Sequence, residues 1–297
     1  DMAVLMGLNQ NGQAITLSKQ LREAGVTNGA QLAEHVKKGG NPLTFAQTFP
    51  TGTHAMWLYY WLASVGINPM SDVKTIVVPP PQMVANMRVG NMDGFCVGEP
   101  WGARAIFDKI GFTATTTQQI WPDHPEKVLG TTRAFIEQYP NAARALIMAI
   151  LDASRFIEAS EENRKSTAKL ISGKAYVNAP VQVIEPRFLA QYEDGLGNSW
   201  KDEHAMAFCK DGSVNFPYHS DGMWFLTQFK RWGLLKEAPD YAAVAAQVNQ
   251  TVLYAEAAGA LKLAVPSSPL RSSTLIDGVV WDGSNPAAYA DSFTIKA

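Results

Sequence analysis

The 297-residue chain is 46% hydrophobic and 18% charged, with a formal net charge of −2; this is the make-up of a well-packed globular protein, not a disordered one. With pI near 6.2 it offers no basic field to nucleic acid or an anionic membrane, so any anion it binds must be held by local donors. Its apolar runs, such as the one around Ala143 to Leu151, fall short of the ~20 residues that cross a bilayer.

Residues 2–8 are predicted as a strand that begins abruptly, like the interior of a fold already under way. Helical patterns follow at 17–24 and 28–38, then a strand at 43–48. Gln13, in LNQNGQAITL, falls at the end of the first strand, where its amide could reach an anion oxygen; an exposed loop glutamine is the alternative. The stretch FAQTFPTGTHAMWLYYWLASVGINP, residues 45–69, reads as a strand end, a small-residue turn and an amphipathic helix over 52–65. Free amides at a helix start, with the positive end of its dipole, form an anion site. Thr51 or Thr53 can cap that helix, Gly52 lets a group approach the backbone, and His54 points into the same space. The same residues also fit an ordinary capped helix with a satisfied histidine.

A strand at 74–78 and a helix at 81–89 lead to a short strand at 94–97 and a helix at 99–109. In GFCVGEPW, Gly98 again clears space at a helix start, while Glu99 reads as a first-turn dipole partner and Trp101 as packing. Strand–helix alternation argues for a mostly parallel, helix-covered sheet. Residues 112–132 read as two extended pieces around a Pro-rich bend, which suits a hinge crossing. Lys127, in WPDHPEKVLG, either lines the cleft there or is a solvated charge; Trp121 and His124 read as structural. From 133 the pattern is mainly helical, at 133–138, 140–158, 161–172, 180–193, 220–231 and 239–259, and the tail after Leu261 reads as extended surface chain. The expected division is an α/β lobe at 10–115, with 1–9 and 116–297 as the helix-rich remainder of a second lobe, and the ligand between them.

Enzyme signatures are absent: there is no GxxxxGK[ST], GxGxxG after a strand, GxSxG or HExxH. His35, His54, His124, His204 and His219 lack metal-ligand spacing, and Cys96 and Cys209 read as buried thiols, not a disulfide framework. Neither a metal nor a cofactor is expected.

The motifs GTHAMWLYYWLASVGINP, TIVVPPPQMVANMRVGNMDGFCVGEPW, IWPDHPEKVLG and FPYHSDGMWFL resemble the solute-binding proteins of ABC-type nitrate and bicarbonate transporters, and the resemblance spans essentially the whole chain. It implies a type II periplasmic-binding clamshell without catalysis. It also implies nitrate held by Gln13, His54, Gly98 and Lys127, with Gly52 and Thr53 beside them, and with part of the family's pocket lying upstream of Asp1. Bicarbonate-binding members carry threonine for the histidine and glutamate for the lysine, so His54 and Lys127 favour nitrate. Nitrate is a planar, acceptor-only monoanion that needs donors alone, and nitrite meets the same description. The implied partners are ABC permease subunits. The implied location is the periplasm or, through a lipid anchor, the outer face of the inner membrane, with neither signal nor anchor in this chain. A cytoplasmic nitrate sensor and a bicarbonate receptor are the alternative readings.

Overall fold

A five-stranded mixed sheet organises the first half of the chain, and the computed structural model describes residues 1–297 in full. In order come β1 (Met2–Gly7), β2 (Gln13–Ser18), α1 (Lys19–Glu23), α2 (Gly29–Lys37), β3 (Thr44–Gln47), α3 (Thr53–Ser64), β4 (Lys74–Val77), α4 (Met83–Arg88), β5 (Gly94–Gly98), α5 (Trp101–Phe107) and β6 (Gly111–Thr116). Next are α6 (Thr117–Ile120), β7 (Val128–Thr132), α7 (Arg133–Gln138), α8 (Pro140–Glu158), α9 (Glu161–Ile171), α10 (Val181–Phe188), β8 (Gln191–Glu193) and β9 (Ser199–Lys201). The chain ends with α11 (His219–Arg231), α12 (Tyr241–Val248), α13 (Thr251–Ala260), β10 (Ser273–Thr274), β11 (Val280–Trp281) and α14 (Pro286–Asp291).

The sheet runs β4-β3-β5-β2-β6. β3 is parallel to β4 and β5, whereas β2 is antiparallel to β5 and β6. The expected helix at 17–24 therefore starts later, because β2 occupies Gln13–Ser18 and α1 begins at Lys19, capped by the Ser18 hydroxyl accepting from Leu21 N at 3.3 Å. Every residue of β2 is buried, so no apolar–polar alternation marks it as a strand. Its antiparallel insertion makes the sheet mixed, while the other four strands run in one direction. Gln13 accordingly opens β2; it does not end β1.

Side chains alternate across this sheet as the pleat requires. Phe45 and Cys96 face α3, while Ala46, Phe95 and Val97 face α4 and α5. The helix predicted as amphipathic, α3, is buried from His54 through Leu62, because the sheet covers one side and α11 with the C-terminal tail covers the other. It stops where Gly66 takes φ +85°, with Gly66 N and Ile67 N donating back to Ala63 O and Leu62 O.

A second body is built on the β1–β7 ladder, with Leu5 and Met6 packed against Ile147 and Leu151 of α8 and Tyr254 of α13. Two helical expectations are trimmed here, and the tail departs from its expected extended form. The one at 180–193 ends at Phe188 before the β8–β9 hairpin. The one at 239–259 breaks at Asn249, which turns extended and donates its side-chain amide to Tyr218 O at 2.7 Å. The tail forms a small hairpin and α14, and it buries Leu275, Trp281, Tyr289 and Phe293 in the main core instead of only wrapping the surface.

The two bodies are joined by segments that cross side by side. Leu8 N donates to Lys127 O at 2.7 Å, Asn11 N to His124 O at 3.2 Å and Glu126 N to Asn9 O at 3.2 Å. Beneath the crossing, Trp57 stacks on Trp224 with ring centroids 4.9 Å apart, and Trp121 meets Trp224 edge-on at 5.1 Å. Replacing Trp224, which is fully buried, by alanine is expected to cost about 4 kcal/mol, read as a lower urea midpoint with retained far-UV signal in the absence of denaturant.

Candidate functional site

Four segments converge on one point beside the crossing. β2 begins at Gln13, whose Cα partner across the ladder is Gly98 at the end of β5. α3 begins at Thr53, and the second crossing passes through Pro125 to Lys127. A cavity of about 340 Å³ opens here, with Asn9, Gly52, Thr53, Glu126, Tyr218 and Asp221 among its lining.

His54 ties two of these segments, α3 and the end of β5, to the loop after β3. Gly98 N donates to its Nε2 at 3.1 Å, and its Nδ1 lies 2.6 Å from Thr48 Oγ1. Since Nε2 accepts, the ring proton is on Nδ1 and is donated to Thr48. Burial, and secondarily the Lys127 charge, push the imidazole from its ordinary 6.5 down to about 3, so it is neutral. Both ring nitrogens are thus engaged with the protein, and neither is a free donor.

The start of α3 is uncapped by any side chain. Its N-cap is Gly52, not a threonine, and the Thr53 and His54 amides have no hydrogen-bond partner. Thr51 is exposed. The Thr53 hydroxyl accepts from Gln13 Nε2 at 3.1 Å and donates to Glu126 Oε2 at 3.2 Å. A side chain at Gly98 would meet only His54 Nε2, 3.9 Å from its Cβ, which leaves open space in front of that backbone.

Sequence reasoning passed over the residue at the centre. Glu126, with 3% of its side chain exposed, receives Gln13 Nε2 and Thr53 Oγ1 on one oxygen and Lys127 Nζ at 2.6 Å on the other. Burial raises its carboxyl above the usual range, and the Lys127 charge only partly offsets this. Lys127 itself reaches the site from the rim, 56% exposed. In extended chain, successive side chains point opposite ways, so the Glu126–Lys127 pair should have been read as one residue facing in and one facing out. Thr48 was also missed, and nothing in its local sequence marks it as a histidine partner. Gln13, Thr53 and Lys127 meet at Glu126 and His54 meets Gly98, but of the six expected residues only Gly52 and Thr53 line the cavity. Glu99, in contrast, turns away into an ion pair with Arg187 at 2.9 Å and accepts from Ala103 N. Chemically, the place gathers donors around a planar oxyanion.

The sequence profile of the NMT1-like family matches residues 1–172. The chain is 40% identical over 302 residues to the nitrate/nitrite binding protein NrtA of Synechocystis sp., covering 100% of this chain and 67% of that protein. It is 33% identical to the bicarbonate-binding protein CmpA of Synechococcus elongatus, covering 99% of this chain and 69% of that one. Among solved structures, the periplasmic nitrate-binding protein NrtA from Synechocystis PCC 6803 superposes with a TM-score of 0.93 at 39% identity, over 99% of this chain and 77% of that one. This α/β architecture is thus the two-lobed periplasmic-binding fold.

A neutral buried histidine makes stability depend on pH in a definite direction. The unfolded chain takes a proton near 6.5 and folded His54 only at about 3, so its contribution is complete above 6.5 and is lost as pH falls toward 3. Chemical denaturation across this range should show wild type losing on the order of 3 kcal/mol relative to His54→Gln. Parallel pH profiles would show that the imidazole is not held neutral.

Proposed function

The chain belongs to the NMT1-like family, and from that premise we propose that it is a nitrate receptor of an ABC-type uptake system. It encloses the ion in the cleft between its two bodies, the first of which includes α11 and the C-terminal tail packed on α3, and delivers it to permease subunits at the outer face of the inner membrane. The observation that carries this reading is the way Glu126 is held. A planar oxyanion already sits among Gln13, Thr53 and Lys127, beside the free Thr53 and His54 amides of α3, and nitrate has the same planar acceptor geometry.

His54 becomes a donor by a change of tautomer. If Thr48 Oγ1 donates to Nδ1 instead of accepting from it, Nε2 carries the proton, and Nε2–H and Gly98 N–H then face the ion together. Both are neutral donors, so the only full positive charge in the set is Lys127. The Cys96 thiol is buried and pushed up, away from the thiolate a nucleophile needs. Lobe closure excludes water, which strengthens each charge-assisted contact. Nitrite satisfies the same donors; bicarbonate needs an acceptor for its hydroxyl, and Glu126 is an acceptor within reach of the cavity.

Calorimetric titration with nitrate, nitrite and bicarbonate tests the reading, with nitrate expected to bind tightest; bicarbonate binding more tightly would replace it. Lys127→Glu should weaken nitrate at least ~30-fold, or ~2 kcal/mol, and unchanged affinity would remove Lys127 from the site. Thr48→Val, which leaves Nδ1 without its hydroxyl partner, should weaken nitrate ~5-fold, about one neutral hydrogen bond, while equal affinities would dismiss the tautomer change.

A further inference from the structure

Resting on the nitrate reading, we propose that Glu126 is the proton acceptor of the binding step: its carboxylate occupies the site's donors as a tethered anion, and nitrate enters together with one proton that neutralises it. Occupancy comes first. Both carboxylate oxygens are engaged, one by Gln13 and Thr53 and the other by Lys127 at 2.6 Å. These are the donors an incoming oxyanion would use.

Charge comes second. The groups that face Glu126 are Lys127 on its own segment, Thr53 and Trp57 on α3, Gln13 on β2 and Cys96 on β5, and the histidine on α3, His54, faces the Lys127 charge. The cavity is also lined by Asp221, already paired with Arg271 through two contacts of 2.8 Å. Of the groups around Glu126, Lys127 alone carries a positive charge, because His54 is neutral and the Cys96 thiol is held protonated by burial. Lys127 and an ionised Glu126 sum to zero, so adding nitrate leaves one uncompensated negative charge in a desolvated site, an arrangement that is strongly disfavoured. A proton on Glu126 restores neutrality. It also turns the group from an acceptor into a donor, as an ion with no proton of its own requires. Burial already raises the Glu126 carboxyl, and the approach of a second anion raises it further.

The test is nitrate calorimetry at pH 7 in two buffers of different ionisation enthalpy, followed by affinity measurements from pH 6 to 9. Wild type should take up about one proton per nitrate, and its affinity should fall up to ~10-fold per pH unit in the range where free Glu126 is ionised. Glu126→Gln should bind nitrate at least as tightly, with no uptake and a flat profile. Wild type that binds nitrate without proton uptake overturns the proposal and leaves the nitrate reading standing, and this arm needs no variant to fold. A variant that keeps the wild-type uptake overturns it as well, since the proton then goes elsewhere. If neither protein binds nitrate, the functional reading itself fails, and the proton linkage falls with it.

Discussion

The floor of the cleft depends on one requirement: polar groups shut away from water must satisfy each other. Gln13, His54 and Glu126 are all at least nine-tenths buried, and each reaches a partner on a different segment of the chain. His54 links the loop after β3, the start of α3 and the end of β5 through Thr48 and Gly98. Glu126 links β2, α3 and the second crossing through Gln13, Thr53 and Lys127. Leaving one of these partners unpaired would cost about 1–3 kcal/mol, more where the group is charged, so the network fixes where strand ends and helix start meet.

That network is possible because of how the chain crosses between its two bodies. β2 enters the sheet antiparallel, between β5 and β6, so the start of one strand lies beside the end of another. The crossing segments pair along residues 8–11 and 124–127, which delivers Glu126 to the same spot. The Trp57, Trp121 and Trp224 cluster lies directly beneath and gives the polar layer a rigid apolar base. His124 belongs to that base, with its ring 4.5 Å from Trp57 and its Nε2 2.7 Å from Thr117 Oγ1.

Much of this was legible in the residues. Strand and helix runs such as Thr44–Gln47, Thr53–Ser64 and Pro140–Glu158 stand out by pattern, cap and glycine stop. Gly52, His54 and Gly98 stand out because small residues at helix starts have a recognisable chemistry. The misses share a cause. β2 lacks alternation because both its faces are covered, α3 looked amphipathic because its second cover comes from chain more than 150 residues away, and the tail looked extended although its aromatics sit in the main core. Burial imposed by distant chain leaves no local trace.

Local chemistry alone therefore determined the fold class, the alternation of strands and helices, and which helix starts could receive an oxyanion. Those properties follow from propensity, periodicity and the free amides at a helix end. Only the tertiary structure decided that Glu126 faces inward while Lys127 sits at the rim, that the His54 proton lies on Nδ1, and that Thr48 is its partner. A side chain's direction and a proton's position are set by what stands opposite in space, and here every such partner but Lys127 comes from another part of the chain.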